Sequence, residues 1–183
     1  MRFPSHLKTL KLSFPIFIES SNDYFNFHES LQHLSTGSLY FSDLNYKENF
    51  KLPASLSSFT CTLKTLDHLP HLNYSLKSLN IDIQKSYDRD FLSLDLDEEI
   101  LSNLEDIKIS NQNISINRIK VNVNIKFNSS LKKLTLINIY PIQFCNGLFT
   151  SLIDLTLTNN ALLSKPVFPI GLISLFQYLC IMI

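Results

Sequence analysis

Two imidazoles three residues apart, in His68-Leu69-Pro70-His71, have a spacing that two ligands of one metal ion could use. Pro70 breaks any helix that would align them, and only Asp67 stands near as a further ligand. A zinc site needs three or four donors, so this segment is read as a solvated loop. Oxygen ligands for calcium would come from Asp95, Asp97, Glu98 and Glu99, with Asp88 and Asp90 upstream. The run lacks the glycine that lets a calcium loop turn tightly. Asp95 and Asp97 also alternate with Leu94 and Leu96, as the outer face of a strand does, so a solvated face or an acidic contact patch is expected. Cys61, Cys145 and Cys180 are far apart and form no C-x-x-C pair, which predicts three buried apolar thiols in a reducing compartment. The three glycines, Gly37, Gly147 and Gly171, are isolated, whereas phosphate-cradling loops need them clustered. No G-x-S-x-G, H-E-x-x-H or kinase-like set occurs. The expectation is a chain without catalytic residues, metal or cofactor.

Charge and composition narrow the partner classes. Lysine plus arginine equals aspartate plus glutamate at 16 each, so no net field draws the chain to nucleic acid or an anionic membrane. At 45% hydrophobic and 17% charged residues, the 183-residue chain has the make-up of a packed domain rather than a disordered one. The start, Met1-Arg2-Phe3-Pro4, has no apolar signal core, and cytoplasmic localisation is expected. On that expectation the acceptor patterns at Asn73, Asn113 and Asn128 would remain unglycosylated. From Val167 to Ile183 there are 17 residues without a charge, the short limit for a membrane span. Pro169, Gly171 and Gln177 interrupt them, and another repeat is the preferred reading.

That repeat organises the whole chain. The string Leu-x-x-Leu-x-Leu, with other apolar residues allowed, begins at Leu7, Leu56, Leu76, Leu104, Leu131 and Leu152. A further start lies at Leu172, and a poor one at Leu31. Successive first positions are separated by 24, 25, 20, 28, 27, 21 and 20 residues. The two apolar residues of L-x-L share one face of a short strand, and the Leu three residues earlier joins the same core from a turn. One such strand cannot bury its leucines alone, so successive copies must stack into a parallel sheet. Phe3-Pro4, Leu52-Pro53 and Phe168-Pro169 precede strands, and proline suits the turn leading in.

Residues 152–171, LIDLTLTNNALLSKPVFPIG, resemble a full leucine-rich repeat, with Leu152, Leu155, Leu157, Asn160 and Leu162 at the L-x-x-L-x-L-x-x-N-x-L positions. The following Pro166 and Phe168-Pro169 are similar to the return of the short, proline-bearing repeats of fungal, protist or bacterial-effector kind. Gln84, Gln112 and Ile139 stand where that asparagine falls in other copies, so a regular asparagine ladder is not expected. The resemblance implies an α/β-type solenoid of about seven to eight degenerate, uncapped repeats over residues 1–183, with a parallel concave β-sheet and an irregular, partly stranded convex side. In the two longest repeats, Phe91-x-x-Leu94-x-Leu96 and the alternation Ile119, Val121, Val123, Ile125, Phe127 lie too close to a repeat start to begin a new coil. They predict extra strands or short helices on the return side. The competing architecture is an all-β sandwich.

The x positions form the candidate binding face: Lys8 and Lys11, Lys77 and Asn80, Glu105, Asp106 and Lys108, Lys132, Lys133 and Thr135, Asp154 and Thr156. It is expected to be polar, mixed in charge and without aromatic anchors. The leading expectation is a protein–protein interaction module. The alternatives are the substrate-recognition portion of a ubiquitin ligase, of F-box or bacterial-effector kind, and a cell-surface adhesin. Uncapped ends add the expectation of self-association.

Overall fold

The computed structural model describes residues 3–19, 27–43, 50–63, 69–84, 91–95, 103–112, 120–124, 130–139, 151–158 and 171–178. Among these residues eleven strands are formed: β1 (Thr9–Lys11), β2 (Ile16–Ile18), β3 (His33–Phe41), β4 (Ser58–Leu63), β5 (Ser78–Ile83), β6 (Phe91–Asp95), β7 (Asp106–Asn111), β8 (Lys120–Asn124), β9 (Lys133–Ile137), β10 (Asp154–Thr158) and β11 (Ser174–Tyr178). Nine of them make one sheet in the order β1-β3-β4-β5-β7-β9-β10-β11, with β2 also on β3. Every pairing is parallel. Parallel neighbours that follow each other in chain order, each one repeat further on, define a solenoid. A sandwich of hairpins would pair its neighbours antiparallel.

The register is the repeat itself. The second apolar position of each copy pairs with its counterparts in one unbroken column: Leu10, Leu34, Phe59, Leu79, Ile107, Leu134, Leu155 and Leu175. The first position is buried in Leu31, Leu56, Leu76, Leu104, Leu131 and Leu152, and partly so in Leu7 and Leu172. A third column holds Cys61, Ile81, Ile109, Leu136 and Leu157, all buried. A one-residue slip would turn all three columns to solvent, so burial pins the register at every rung. The predicted burial of Cys61 is met; low polarity around it, and then the charge of Asp82, push its thiol pKa upward and leave it protonated. Cys145 and Cys180 lie outside the described residues.

The poor repeat at Leu31 is where the ladder bends. Thr36 and Gly37 of β3 together oppose Cys61 alone, a one-residue bulge between Ser35 and Ser38. A Cβ at Gly37 would lie 2.7 Å from the Phe14 carbonyl oxygen, so only glycine lets the backbone of the β1–β2 link pass. Thr36 takes the core position and satisfies its hydroxyl on the Thr60 carbonyl at 3.5 Å.

The two longest repeats carry the expected extra strands. The chain leaves the main sheet after β5 to lay down β6, returns as β7, and leaves again to form β8. β6 and β8 pair in parallel as a separate two-stranded sheet, Leu92 opposite Val121 and Leu94 opposite Val123. The α/β description has no counterpart among the described residues, which contain strands and turns but no helix. No helix there is long and apolar enough to cross a membrane, and residues 174–178 of the uncharged C-terminal stretch are a strand on β10.

Two features of the repeat lie outside the six-residue string. Four residues before each first leucine stands another apolar residue: Phe3, Phe27, Leu52, Leu72, Ile100, Phe127, Leu148 and Phe168. Of those described, Phe27 and Leu52 pack against the core and Leu72 is inside it. Between the two positions the chain makes a tight turn, closed by Leu7 N to Pro4 O at 3.2 Å, Leu31 N to His28 O at 3.0 Å and Leu56 N to Pro53 O at 3.0 Å. Pro4 and Pro53 thus supply only their carbonyls, and the missing proline donor costs nothing. The residue just before each first leucine is serine in Ser30, Ser55, Ser75, Ser130 and Ser151. Ser30 Oγ donates to Leu7 O at 2.9 Å, Ser55 Oγ to Leu31 O at 2.9 Å, Ser75 Oγ to Leu56 O at 2.9 Å and Ser130 Oγ to Leu104 O at 3.2 Å. Each hydroxyl caps the first-leucine carbonyl of the preceding rung, a half-buried acceptor that the strands do not reach.

Candidate functional site

Strand alternation sends the side chains between the buried columns to the opposite, outward face of the sheet. Three outward columns run across the rungs. The first, just ahead of the strands, is Lys8, Gln32, Ser57, Lys77, Glu105, Lys132, Ile153 and Ile173. Its backbone forms a ladder in which each amide donates to the carbonyl one rung back, for example Glu105 N to Lys77 O at 2.8 Å and Lys132 N to Glu105 O at 2.9 Å. The second is Thr9, His33, Ser58, Ser78, Asp106, Lys133, Asp154 and Ser174. The third holds Lys11, Ser35, Thr60, Asn80, Lys108, Thr135 and Thr156. All twelve residues named from the sequence fall on these columns. Lys8 and Lys11 sit at the first rung, and the other ten run together from β5 to β10.

Charges of opposite sign alternate where the columns are densest. Glu105 Oε2 accepts from Lys132 Nζ at 2.7 Å, and Lys77 Nζ lies 3.7 Å from Glu105 Oε1. The Lys132 hydrogen bond and charge, followed by Lys77, hold the Glu105 carboxyl below its usual range. In the next column Asp106 and Asp154 flank Lys133. Partial burial raises the Asp106 carboxyl; Lys133 opposes the shift, Asp154 adds to it and Lys108 opposes it. Asp154 also accepts a hydrogen bond from Ser174. Interior pairing therefore consumes much of this charge, and exposed pairs of this kind stabilise little.

Beyond the positions named from the sequence, aromatic side chains join the outward face at its N-terminal corner. Phe17 of β2 and Tyr40 of β3 stack with ring centroids 5.0 Å apart and planes 11° from parallel. Phe17 is 56% exposed. Ser38 and Tyr40 hydroxyls both donate to Gln84 Oε1 at 3.2 Å, and Ser110 donates to Asp82. Strands β3, β4, β5 and β7 run past the Leu-x-x-Leu-x-Leu window, so these positions were invisible to a reading confined to it. The exposed Phe between buried Ile16 and Ile18 is the sequence signal that would have found them. Asn80 Oδ1 is enclosed without a hydrogen-bond partner.

The other sequence candidates do not converge. His71 is exposed and His68 lies outside the described residues. Among the described residues no three His, Cys, Asp or Glu side chains gather around one point where a metal ion could sit. Asp88, Asp90, Asp97, Glu98 and Glu99 lie outside the described residues, as do Asn160 and the prolines after it. In another copy an asparagine stands at the strand exit one position earlier. Asn138, at the exit of β9, adopts a left-handed φ of 55° and donates from Nδ2 to Asn111 O at 2.8 Å. Of the glycosylation patterns, Asn73 spends its Nδ2 on the Pro53 carbonyl, and Ser75 serves the serine ladder.

No protein-family model matches the chain, and no curated protein or solved structure does either.

Proposed function

We propose that this chain is a non-catalytic protein-binding module of leucine-rich-repeat kind, which presents the outward face of its main sheet to a protein partner. The observation that carries the reading is the continuity of that face. Outward columns run in register over the parallel rungs from β3 to β10, and the backbone beneath them is fixed by the buried columns. A rigid platform of this kind loses little conformational freedom on binding, and repeat solenoids bind through such extended surfaces. Lys77, Lys108, Lys132 and Lys133 with Glu105, Asp106 and Asp154 supply the polar rows. The Phe17–Tyr40 stack supplies the apolar anchor that tight interfaces use.

The test is a partner capture compared across three forms of the chain: wild type, the triple reversal Lys77→Glu/Lys108→Glu/Lys132→Glu, and Phe17→Ala. Each is first shown to fold by its circular dichroism. Loss of the same captured protein in both variants is the expected result. Equal recovery from all three forms would remove this face from consideration.

A further inference from the structure

The charges of the outward face lie on its interior rungs, β5, β7, β9 and β10, each of which has a described rung on either side. On these four rungs Lys77, Lys108, Lys132 and Lys133 are balanced by Asp82, Glu105, Asp106 and Asp154. A face of zero net charge draws neither a uniformly acidic nor a uniformly basic partner. What distinguishes it is the order of its charges. The first column reads Lys77, Glu105, Lys132, and the second reads Ser78, Asp106, Lys133, Asp154.

A two-fold axis laid along the strands between β7 and β9 exchanges these two rungs and carries every column onto itself. Two copies related by it stand face to face, β7 of one over β9 of the other and β5 over β10. Glu105 then faces Lys132 and Asp106 faces Lys133, and each pair occurs twice. One rung further out, the Ser78 hydroxyl faces the Asp154 carboxylate. No like charges oppose one another on these rungs: Lys108 faces Thr135, and Lys77 faces Ile153. An axis on β7 itself would set Glu105 on Glu105, and one on β9 would set Lys132 on Lys132. Moved to between β5 and β7, or between β9 and β10, the axis keeps one lysine–carboxylate match instead of two. The order of charges therefore selects a single symmetric arrangement.

The groups are also free to reach across. Asp106 and Lys133 stand on adjacent rungs, yet neither makes an ion pair among the described residues. Lys132 and Lys133 are exposed. Facing sheets pack about 10 Å apart, a gap that a lysine and a carboxylate side chain span together.

We infer that the partner of the outward face is a second copy of this chain, docked face to face about this two-fold axis. The two sheets keep their strands aligned, as packed sheets do. The contact uses the same patch on both copies, so it is isologous and closes at two. It rests on the outward face being the binding face and names the occupant of that face.

Reciprocal charge reversal tests it in the 183-residue chain. In Asp106→Lys alone the symmetric contact opposes lysine to lysine, and in Lys133→Asp alone it opposes aspartate to aspartate. In a mixed pair both contacts again join opposite charges. Each variant is first shown to fold by circular dichroism; Glu105→Lys with Lys132→Glu is the second set if either of the first loses its strand signal. Mass is read by sedimentation velocity over a concentration series at low salt, where exposed charges are least screened. Wild type is expected to rise roughly twofold in weight-average mass and stop there, as a closed two-fold contact requires. Each variant alone stays monomeric, and the equimolar mixture recovers the dimer. A monomeric wild type, growth beyond two copies, a single folded variant that dimerises like wild type, or a mixture that stays monomeric overturns the inference. A monomeric wild type whose captured protein is still lost on Lys77→Glu/Lys108→Glu/Lys132→Glu overturns the second copy alone and keeps the face.

Discussion

Single side chains in this molecule act on the junctions between rungs more than on the rungs themselves. The serine ahead of five of the first leucines is the clearest case. Its hydroxyl binds a carbonyl 19 to 26 residues away in sequence, one rung back in space. Ser55→Ala leaves the Leu31 carbonyl half-buried without that donor, which should cost about 1 kcal/mol, the usual scale for one hydrogen bond. Urea denaturation checks it, and a midpoint equal to wild type would show the hydroxyl to be dispensable. Asp106 makes a second, opposite prediction. Its pKa is raised in the folded state, chiefly by burial, so its charge weakens the fold once pH rises through that folded value. Its favourable contribution is complete below the unfolded pKa and is lost as pH climbs. Asp106→Asn should therefore raise the urea midpoint at about pH 7 and lose that advantage near about pH 3, where wild type is protonated too. A variant that is less stable than wild type at neutral pH would show that the Lys133 and Lys108 attractions outweigh desolvation.

At the scale of the strand, the sequence was most legible where the core alone decides. All eight first positions read from the repeat string coincide with rungs, including the poor start at Leu31 and the last at Leu172. Burial of Leu, Ile, Phe and Cys in fixed columns leaves each rung a single register, and a pattern that local is visible in the sequence. Three things were not legible. The apolar position four residues earlier recurs as regularly as the leucines, and the serine in five of the eight copies, but their meaning lies in contacts one rung away. The lengths of β3, β4, β5 and β7 depend on how far the neighbouring strand extends, which brought Phe17, Tyr40 and Gln84 onto the outward face unexpectedly. The β6–β8 pairing depends on two long repeats meeting between β5 and β9, again a non-local choice. Because each rung pairs in the sheet only with its neighbours, one can be removed in phase. Deleting residues 56–75 takes out β4 and joins Ser55 to Leu76, so Leu34 then faces Leu79 with every column intact. The shortened chain should keep its strand circular dichroism and still unfold cooperatively, at a lower temperature. A chain that loses its strand signal would mean the rungs are not interchangeable.

For the whole molecule, one geometric property underlies the rest: eight successive repeats stack in parallel, in register, and so make one continuous outward face. Partner binding and charge alternation along the columns both presuppose it. Cysteine cross-linking reads that register directly, because disulfides form only between Cα atoms about 4.4–6.8 Å apart with converging Cβ directions. In a background with Cys145→Ser and Cys180→Ser, the pair Ser58→Cys/Ser78→Cys joins β4 to β5, and Asp106→Cys/Lys133→Cys joins β7 to β9. The slipped pair Ser58→Cys/Leu79→Cys places its thiols on opposite faces of the sheet. Rapid intramolecular disulfide formation under mild oxidation is expected in both in-register pairs and none in the slipped pair. Efficient bridging of the slipped pair, or none in the in-register pairs, would contradict it.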